Sequence, residues 1–453
     1  MAEVRCYTAD WVLPVSSPPI AGGALLVDAQ GRIAEVGPAA EIAAVGGRRI
    51  DLGAAILLPG LINVHAHPEL SAFRGLLDDL PFHQWIPALV RSKHSASLGF
   101  DDYLAAARWT CIESLRAGVT TIGATEDSGA AVQALREARM RGVVYLEVFG
   151  PDPAQVDSSM LALEQKLQSF ASQAGDRVRL GISPHAPYTV SDDLYAAVAR
   201  YARSQALPLA THAAEAEAED LLLREAVGPF AAGLRSRGIS TTVRAASTIA
   251  LLQRTGVMEC APLLIHALRL TDEDMRVAAD WGATVAHCPI ANARLGHGIA
   301  RVVELRNAGV NVALGTDSVA SNNRLDILEE AHVAQMLQRA RLQSASALPS
   351  AELLRMATID GARALGMADR TGSLEKGKDA DFCVVSLEHP HNVPAPNPLD
   401  ALFHSARGTD VIMTVVRGEE LYANGVVSNF DIDALRAQMK SIGARLQRVR
   451  AEA

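Results

Sequence analysis

Short apolar runs alternate with longer amphipathic stretches along most of this chain. From about Leu58 to Met367 each β-type run is followed by an Ala-, Leu- and Arg-rich segment with helical spacing. That alternation implies a parallel sheet with helices packed outside it. The runs fall at Ile56 to Asn63, Thr120 to Ala124, Val143 to Phe149, Arg179 to Pro184, Pro208 to Ala213, Leu263 to His266, Thr284 to His287 and Val312 to Thr316. Eight such strands, each leading into a helix, predict an α/β chain built as a (β/α)8 TIM barrel. Two of the helices are expected over Asp101 to Arg116 and Ser191 to Ser204, with Ser191 as the N-cap ahead of Asp192 and Asp193.

The two ends of the chain carry a different pattern. Arg5 to Pro14, Ala24 to Val27 and Ile33 to Val36 read as short antiparallel strands separated by turn residues. The same pattern returns at Ala380 to Val385, Val411 to Val416 and Glu420 to Tyr422. Residues 1–57 and 368–430 are therefore expected to build one small β-sandwich domain together, flanking a barrel over 58–367. Residues 431–453 read as a single amphipathic helix.

Composition narrows the partners. A chain of 453 residues, 49% hydrophobic and 21% charged, is long enough for a large core plus a companion domain. Its net charge of −9 argues against a nucleic-acid partner, because phosphate binding relies on clustered Lys and Arg. Five widely spaced cysteines read as reduced residues rather than a disulfide framework. With no secretory-type leader and no long uninterrupted apolar stretch, a cytoplasmic location without membrane contact is expected.

The histidines carry the chemistry. In a (β/α)8 barrel the functional face lies at the C-terminal ends of the strands, and that is where they gather. His65 and His67 close the first strand in INVHAHPEL, where alternate residues point the same way and form a chelating pair. His185 follows the fourth strand, His212 ends the fifth, His266 ends the sixth and Asp317 ends the eighth. Any one such histidine is ordinarily a hydrogen-bonded structural residue. Four zinc-compatible groups at three strand ends point instead to His65, His67, His212 and Asp317 holding one divalent metal. Three imidazoles and a carboxylate leave a position for water, whose pKa the ion lowers toward neutrality. Glu215, three residues past His212, is placed to shuttle protons, although a first-turn carboxylate favoured by the helix dipole is the plainer reading.

PGLINVHAHPEL, SPHAPYTVS, THAAEAE, AHCPIANARLG, LGTDSVASNN and GSLEKGKDADFCVV, taken in that order, resemble the deaminase and chlorohydrolase branch of the amidohydrolase superfamily. The resemblance covers nearly the whole chain. It implies a mononuclear site for zinc, or iron, on the same four ligands. It also implies proton shuttling by Glu215, orientation of the attacking water by His266, and acceptance of that water's proton by Asp317. No lysine stands at the fourth strand end, which disfavours the two-metal arrangement of dihydroorotase-like relatives. The sixth-strand HALRL departs from the branch's usual HC[VA] type while keeping His266. The expected reaction is hydrolytic deamination of a heterocycle by a homo-oligomer, with no nucleic acid involved.

Within the branch, HPELSAFRGLLDDLPFHQWIPALVRSK and LREAVGPFAAGLRSRGI look most similar to aminodeoxyfutalosine deaminases, which act on an adenine nucleoside with an enlarged 5′ substituent. Trp85 and His185 are the candidates for contacting the nucleoside, by stacking and by hydrogen bonding. S-adenosylhomocysteine and 5′-methylthioadenosine deaminases are the alternative, disfavoured by the absence of an acid from Ile86 to Lys93. Guanine, pterin and triazine hydrolases share the scaffold. A catalytically silent binding barrel is the reading of another class, which the full ligand set disfavours.

Overall fold

The structure, a computed structural model, describes residues 3–42 and 47–452. The remaining residues of the three expected units lie outside this description. In chain order the strands are β1 (Arg5–Val12), β2 (Ile20–Val27), β3 (Ile33–Pro38), β4 (Arg48–Asp51), β5 (Ala55–Pro59), β6 (Leu61–Ala66), β7 (Val119–Glu126), β8 (Arg141–Val148) and β9 (Val178–Pro184). They continue as β10 (Ala210–Ala213), β11 (Leu263–His266), β12 (Thr284–His287), β13 (Asn311–Leu314), β14 (Phe382–Ser386), β15 (Val411–Val416), β16 (Glu419–Ala423) and β17 (Val426–Val427).

Strands β6 to β13 pair in parallel as two four-stranded sheets, in the orders β6-β7-β8-β9 and β10-β11-β12-β13. Parallel bridges join the sheets on both sides, from Ile182 to Leu209 and from Ala66 to Asp317. Every strand thus has a neighbour on each side, and helices fill the connections. One apolar cluster draws on β6, β8, β10, β11, β12 and β13 through Val64, Val143, Ala210, Ile265, Ala286 and Ala313. This cluster lies among six of the eight parallel strands. Ala362, on the helix Ile359–Ala364, belongs to the same cluster. The expected N-cap is present, with Ser191 Oγ accepting from Leu194 N at 3.3 Å ahead of the helix Asp192–Ser204.

The first apolar run divides where one strand was expected. Ala55–Pro59 joins the sheet made by the chain ends, and only Leu61–Ala66 joins β7. Pro59 lacks an amide hydrogen, and Gly60 packs so tightly on Thr120 that an added Cβ would lie 2.2 Å from its methyl carbon. A side chain at position 60 would prevent that hand-over between sheets.

The end strands form one nine-stranded sheet in the order β17-β16-β15-β14-β5-β1-β2-β3, with β4 on β1, rather than two separately paired sheets of a sandwich. Tyr7 on β1 donates to Glu420 on β16 at 3.0 Å although three strands separate them in the pairing order. The sheet therefore curls until its halves face each other over Tyr7, Leu25, Phe382 and Val415. Buried Arg141, at the start of β8, ties it to the parallel strands through Asp381 and, at 2.8 Å, Asp379. The helix Ile432–Glu452 packs on the helices Phe82–Ser95 and Phe100–Arg116. Cys111, Cys288 and Cys383 are buried, Cys6 and Cys260 are half-buried, and all five are unpaired. Among the described residues no helix is long and apolar enough to cross a membrane.

Candidate active site

The C-terminal ends of the parallel strands converge on a floor of buried histidines and carboxylates. β6 delivers His65 and His67, whose ring centroids are 4.8 Å apart. β10 delivers His212, 5.1 Å from His65 and 5.5 Å from His67 by ring centroid. Asp317 follows β13, its Oδ1 3.3 Å from His65 Nε2 and 3.5 Å from His67 Nε2. Gly315 makes that approach possible, because a Cβ there would lie 2.9 Å from His65 Cβ. Thr316 and Asp317 both donate their backbone N–H to His65 O, at 3.0 and 2.9 Å.

The backbone turns sharply to aim these groups. Ala214, His266 and Asp317 all have left-handed φ, at 52°, 74° and 58°. Residues with a Cβ reach that region at a cost of about 1–3 kcal/mol each, so such turns persist where the surroundings enforce them. The side chains are also anchored from behind. His65 Nδ1 pairs with Thr125 Oγ1 at 3.2 Å, His212 Nδ1 with the His185 carbonyl at 3.1 Å, and Ser321 Oγ donates to Asp317 Oδ2 at 2.8 Å.

Burial holds the imidazoles neutral. The pKa of His65 is lowered, and those of His67 and His212 are lowered well below the ordinary value, first by burial and, for the latter two, next by neighbouring histidines. Burial would raise Asp317, but the neighbouring His65, His266 and His67 outweigh it and hold the carboxyl low. The result is neutral nitrogens with free lone pairs around an ionised carboxylate. Two overlapping triads, His65, His67, Asp317 and His65, His212, His266, each keep their ligand atoms within 4.8 Å of one another. His65 Nε2 is fully buried without a hydrogen-bond partner. A buried, unsatisfied lone pair amid such donors fits a divalent ion.

Beside this cluster lies Glu215, buried, with Oε1 3.4 Å from His266 Nε2. Asn292 Oδ1 meets His266 Nδ1 at 2.9 Å and so fixes which nitrogen faces Glu215. Two further partners were not anticipated from the sequence. His297 Nε2 lies 3.3 Å from Glu215 Oε1, and Tyr188 Oη donates to Oε2 at 3.4 Å. Burial would raise Glu215, yet His266 and His297 outweigh it and lower its pKa. His287, at the end of β12, was also unanticipated; burial and then His266 lower it to about 3.

The two expected substrate contacts differ in placement. His185 borders the cluster, its ring 4.8 Å from that of His212 and its Nδ1 2.7 Å from Thr189 Oγ1, and burial lowers it to about 4. Trp85 belongs to the main apolar core, and its Nε1 is buried without a partner. Phe82, one helical turn earlier, stacks 6.4 Å from Trp85 and stands 4.6 Å from His297. Gly228, Pro229 and Phe230 begin the helix Gly228–Ser236, and Phe230 stacks on Tyr188 at 4.2 Å. Phe82, Tyr188 and Phe230 thus build an aromatic wall beside Glu215. A sequence signal for it existed in the clustered aromatics of LPFHQW and PHAPY, but spacing alone does not bring these segments together.

Comparison with known proteins gives a consistent picture. Residues 56–421 match the model of the Amidohydrolase family. The 5-methylthioadenosine/S-adenosylhomocysteine deaminase of Moorella thermoacetica is 32% identical over 442 residues, covering 94% of this chain and 96% of that protein. The structure of an adenosine deaminase from Xanthomonas campestris with bound zinc superposes with a TM-score of 0.87 at 27% identity, covering 98% of each chain. The aminofutalosine deaminase of Helicobacter pylori has the same fold, with a TM-score of 0.78 at 21% identity over 92% of this chain and 99% of that one.

Proposed function

The chain belongs to the amidohydrolase family, and from that premise we propose that it is a metal-dependent hydrolytic deaminase of an adenine-type nucleoside. In this reading residues 58–367 are the catalytic unit, a closed (β/α)8 barrel. Residues 1–57 with 368–430 are the supporting β-rich unit, and 431–453 is a docked helix. The observation that carries the reading is the setting of Glu215, a buried carboxylate held between His266 and His297 beside the His65, His67 and Asp317 cluster.

His65, His67, His212 and Asp317 are the proposed ligands of one divalent ion, zinc first. When bound, that ion supplies Lewis acidity and makes water a competent nucleophile at neutral pH. The chain's own groups then manage the protons. Asp317, held ionised, accepts a proton from the attacking water, which His266 orients through its Nε2. Glu215, ionised at rest, takes the water's other proton and delivers it to the ring nitrogen next to the carbon bearing the amino group, and Asp317 returns its proton to the departing amino group. Carbon gains the water oxygen, the amino group leaves as ammonia, and the adenine ring becomes hypoxanthine. His185 borders the nucleoside, and the aromatic wall excludes water from the proton path.

Among nucleosides, aminodeoxyfutalosine is the first choice, on the sequence resemblance of the segments around Trp85 and Phe230. The relative that matches nearly end to end favours 5′-methylthioadenosine or S-adenosylhomocysteine as the second reading. A cytoplasmic homo-oligomer completes the proposal.

Ammonia release from zinc-loaded protein tests it, using aminodeoxyfutalosine, S-adenosylhomocysteine, 5′-methylthioadenosine, adenosine, guanine and a triazine. Turnover confined to adenine nucleosides is expected. Release from guanine or the triazine alone would overturn the nucleoside assignment.

A further inference from the structure

β8 ends inside the site with a carboxyl group that has no role in the steps above. Val143 and Tyr145 lie in the cluster among the parallel strands, and the period of two along a strand puts Glu147 on the same side. Glu147 is only 7% exposed, and its Oε1 is buried without a hydrogen-bond partner among the described residues. Both nearby lysines are engaged elsewhere, Lys93 with Glu69 at 2.8 Å and Lys166 with Asp127. Burial, with Glu69 and Asp127, pushes this carboxyl up to about 8, and hydroxyl donors from a ligand would satisfy its buried oxygen and favour the ionised, accepting form.

The neighbours indicate what kind of ligand. His185 Nε2 stands 3.8 Å from Glu147 Oε1, and Thr189 occupies the other ring nitrogen of His185. Phe149, two residues on and 40% exposed, lies 5.0 Å from the His185 ring. A cavity of about 230 Å³ adjoins, lined by Glu147, Phe149, Ser158, Ser159 and Lys166. From Glu215 the row runs through His266, His212 and His185 to Glu147, each near the next. Glu147 thus stands at the far end of this row from Glu215.

We propose that Glu147, with His185, forms a hydroxyl-recognising subsite that accepts hydrogen bonds from the vicinal hydroxyls of the sugar and sets specificity for ribonucleosides. A carboxylate offers two oxygens at the spacing of a diol, and an imidazole nitrogen beside it completes a polar clamp. The inference rests on the adenine-nucleoside reading of the same site. It places the sugar-binding carboxyl on β8, although the segment Ile86 to Lys93 contains no acid.

The test compares 5′-methylthioadenosine with its analogue lacking both ribose hydroxyls, in zinc-loaded wild type, Glu147→Gln and Glu147→Ala. Wild type is expected to prefer the diol substrate by about 100-fold or more in kcat/KM, since a site built to bond hydroxyls discriminates strongly against their loss. Glu147→Ala is expected to lose about 30-fold on the diol substrate, mainly through KM, with under about threefold change on the analogue. Glu147→Gln, which keeps one acceptor oxygen, falls between, and metal content is unchanged. Equal losses on both substrates in the variants, or a wild type that turns over both equally, would overturn the subsite while leaving the deaminase reading standing. Absence of turnover with every adenine nucleoside would overturn that reading and the subsite with it.

Discussion

His297 Nε2 lies 3.3 Å from Oε1 of Glu215, and both side chains are almost closed to solvent. An imidazole at that distance holds the carboxyl in place and favours its ionised form. Replacing His297 by Ala is expected to lower kcat/KM by about 10- to 100-fold, the value of a hydrogen bond to a charged group. Glu215→Gln removes the proton carrier itself and is expected to cost about 10²- to 10⁴-fold. Both variants should retain the metal, measured by elemental analysis beside the kinetics. Loss of metal from either would show that it acts on the ligand cluster instead.

His65→Ala, His67→Ala and Asp317→Ala are expected to leave the protein without stoichiometric metal and without activity. A chelator should do the same to wild type and also lower its melting temperature, because an ion bound only by the folded chain stabilises it. Calorimetry with and without zinc checks this. An unchanged melting temperature on metal removal would speak against a site built from three strand ends.

Glu219 gives a pH signature separate from catalysis. Burial pushes its carboxyl up to about 7, against the bonds it accepts from Thr248 Oγ1 and the amides of Glu215 and Ala214. A carboxyl raised in the folded state binds its proton more tightly there than in the unfolded chain. Its contribution is therefore full below the unfolded value of 4.5 and is lost as pH rises through about 7. Relative to Glu219→Gln, wild type should lose on the order of 3 kcal/mol between those limits, read from denaturation curves at several pH values. A constant difference from pH 4.5 to 8 would contradict the assignment.

Arg141 spans the two parts of the structure through Asp379 and Asp381, all three side chains being at most 5% exposed. Truncating one partner of a buried ion pair strands the others without compensation. Arg141→Ala is expected to destabilise by about 3–5 kcal/mol, seen as a shift in the unfolding midpoint with the chemistry of the folded fraction unchanged. A shift near zero would mean that the curled sheet does not depend on this tie.

The parallel strands were legible because each is a short apolar run set off by helical periodicity, and the residues ending them could be numbered directly. His65, His67, His212 and Asp317 are adjacent in space because strand ends in this arrangement converge. His297 carried no such signal, since it lies in the loop after the helix Pro289–Arg294, and only tertiary packing carries it to Glu215. Trp85 is the stacking contact expected from the sequence, whereas the helix turns Phe82 toward His297 and packs Trp85 in the apolar core. The end sheet could be read as β-type but not as one curled sheet, because β5 and β14 pair across more than three hundred residues. The division at Gly60 was hidden because apolar residues continue through it on both sides.

A metal titration of chelator-stripped protein, with turnover of 5′-methylthioadenosine followed by the change from adenine to hypoxanthine absorbance, tests the metal-dependent deaminase reading most directly. The rate should rise with bound divalent ion and level at one ion per chain, while Glu215→Gln binds the ion equally and stays nearly silent. Undiminished turnover by the stripped protein, or full ion uptake with no adenine nucleoside converted, would contradict it.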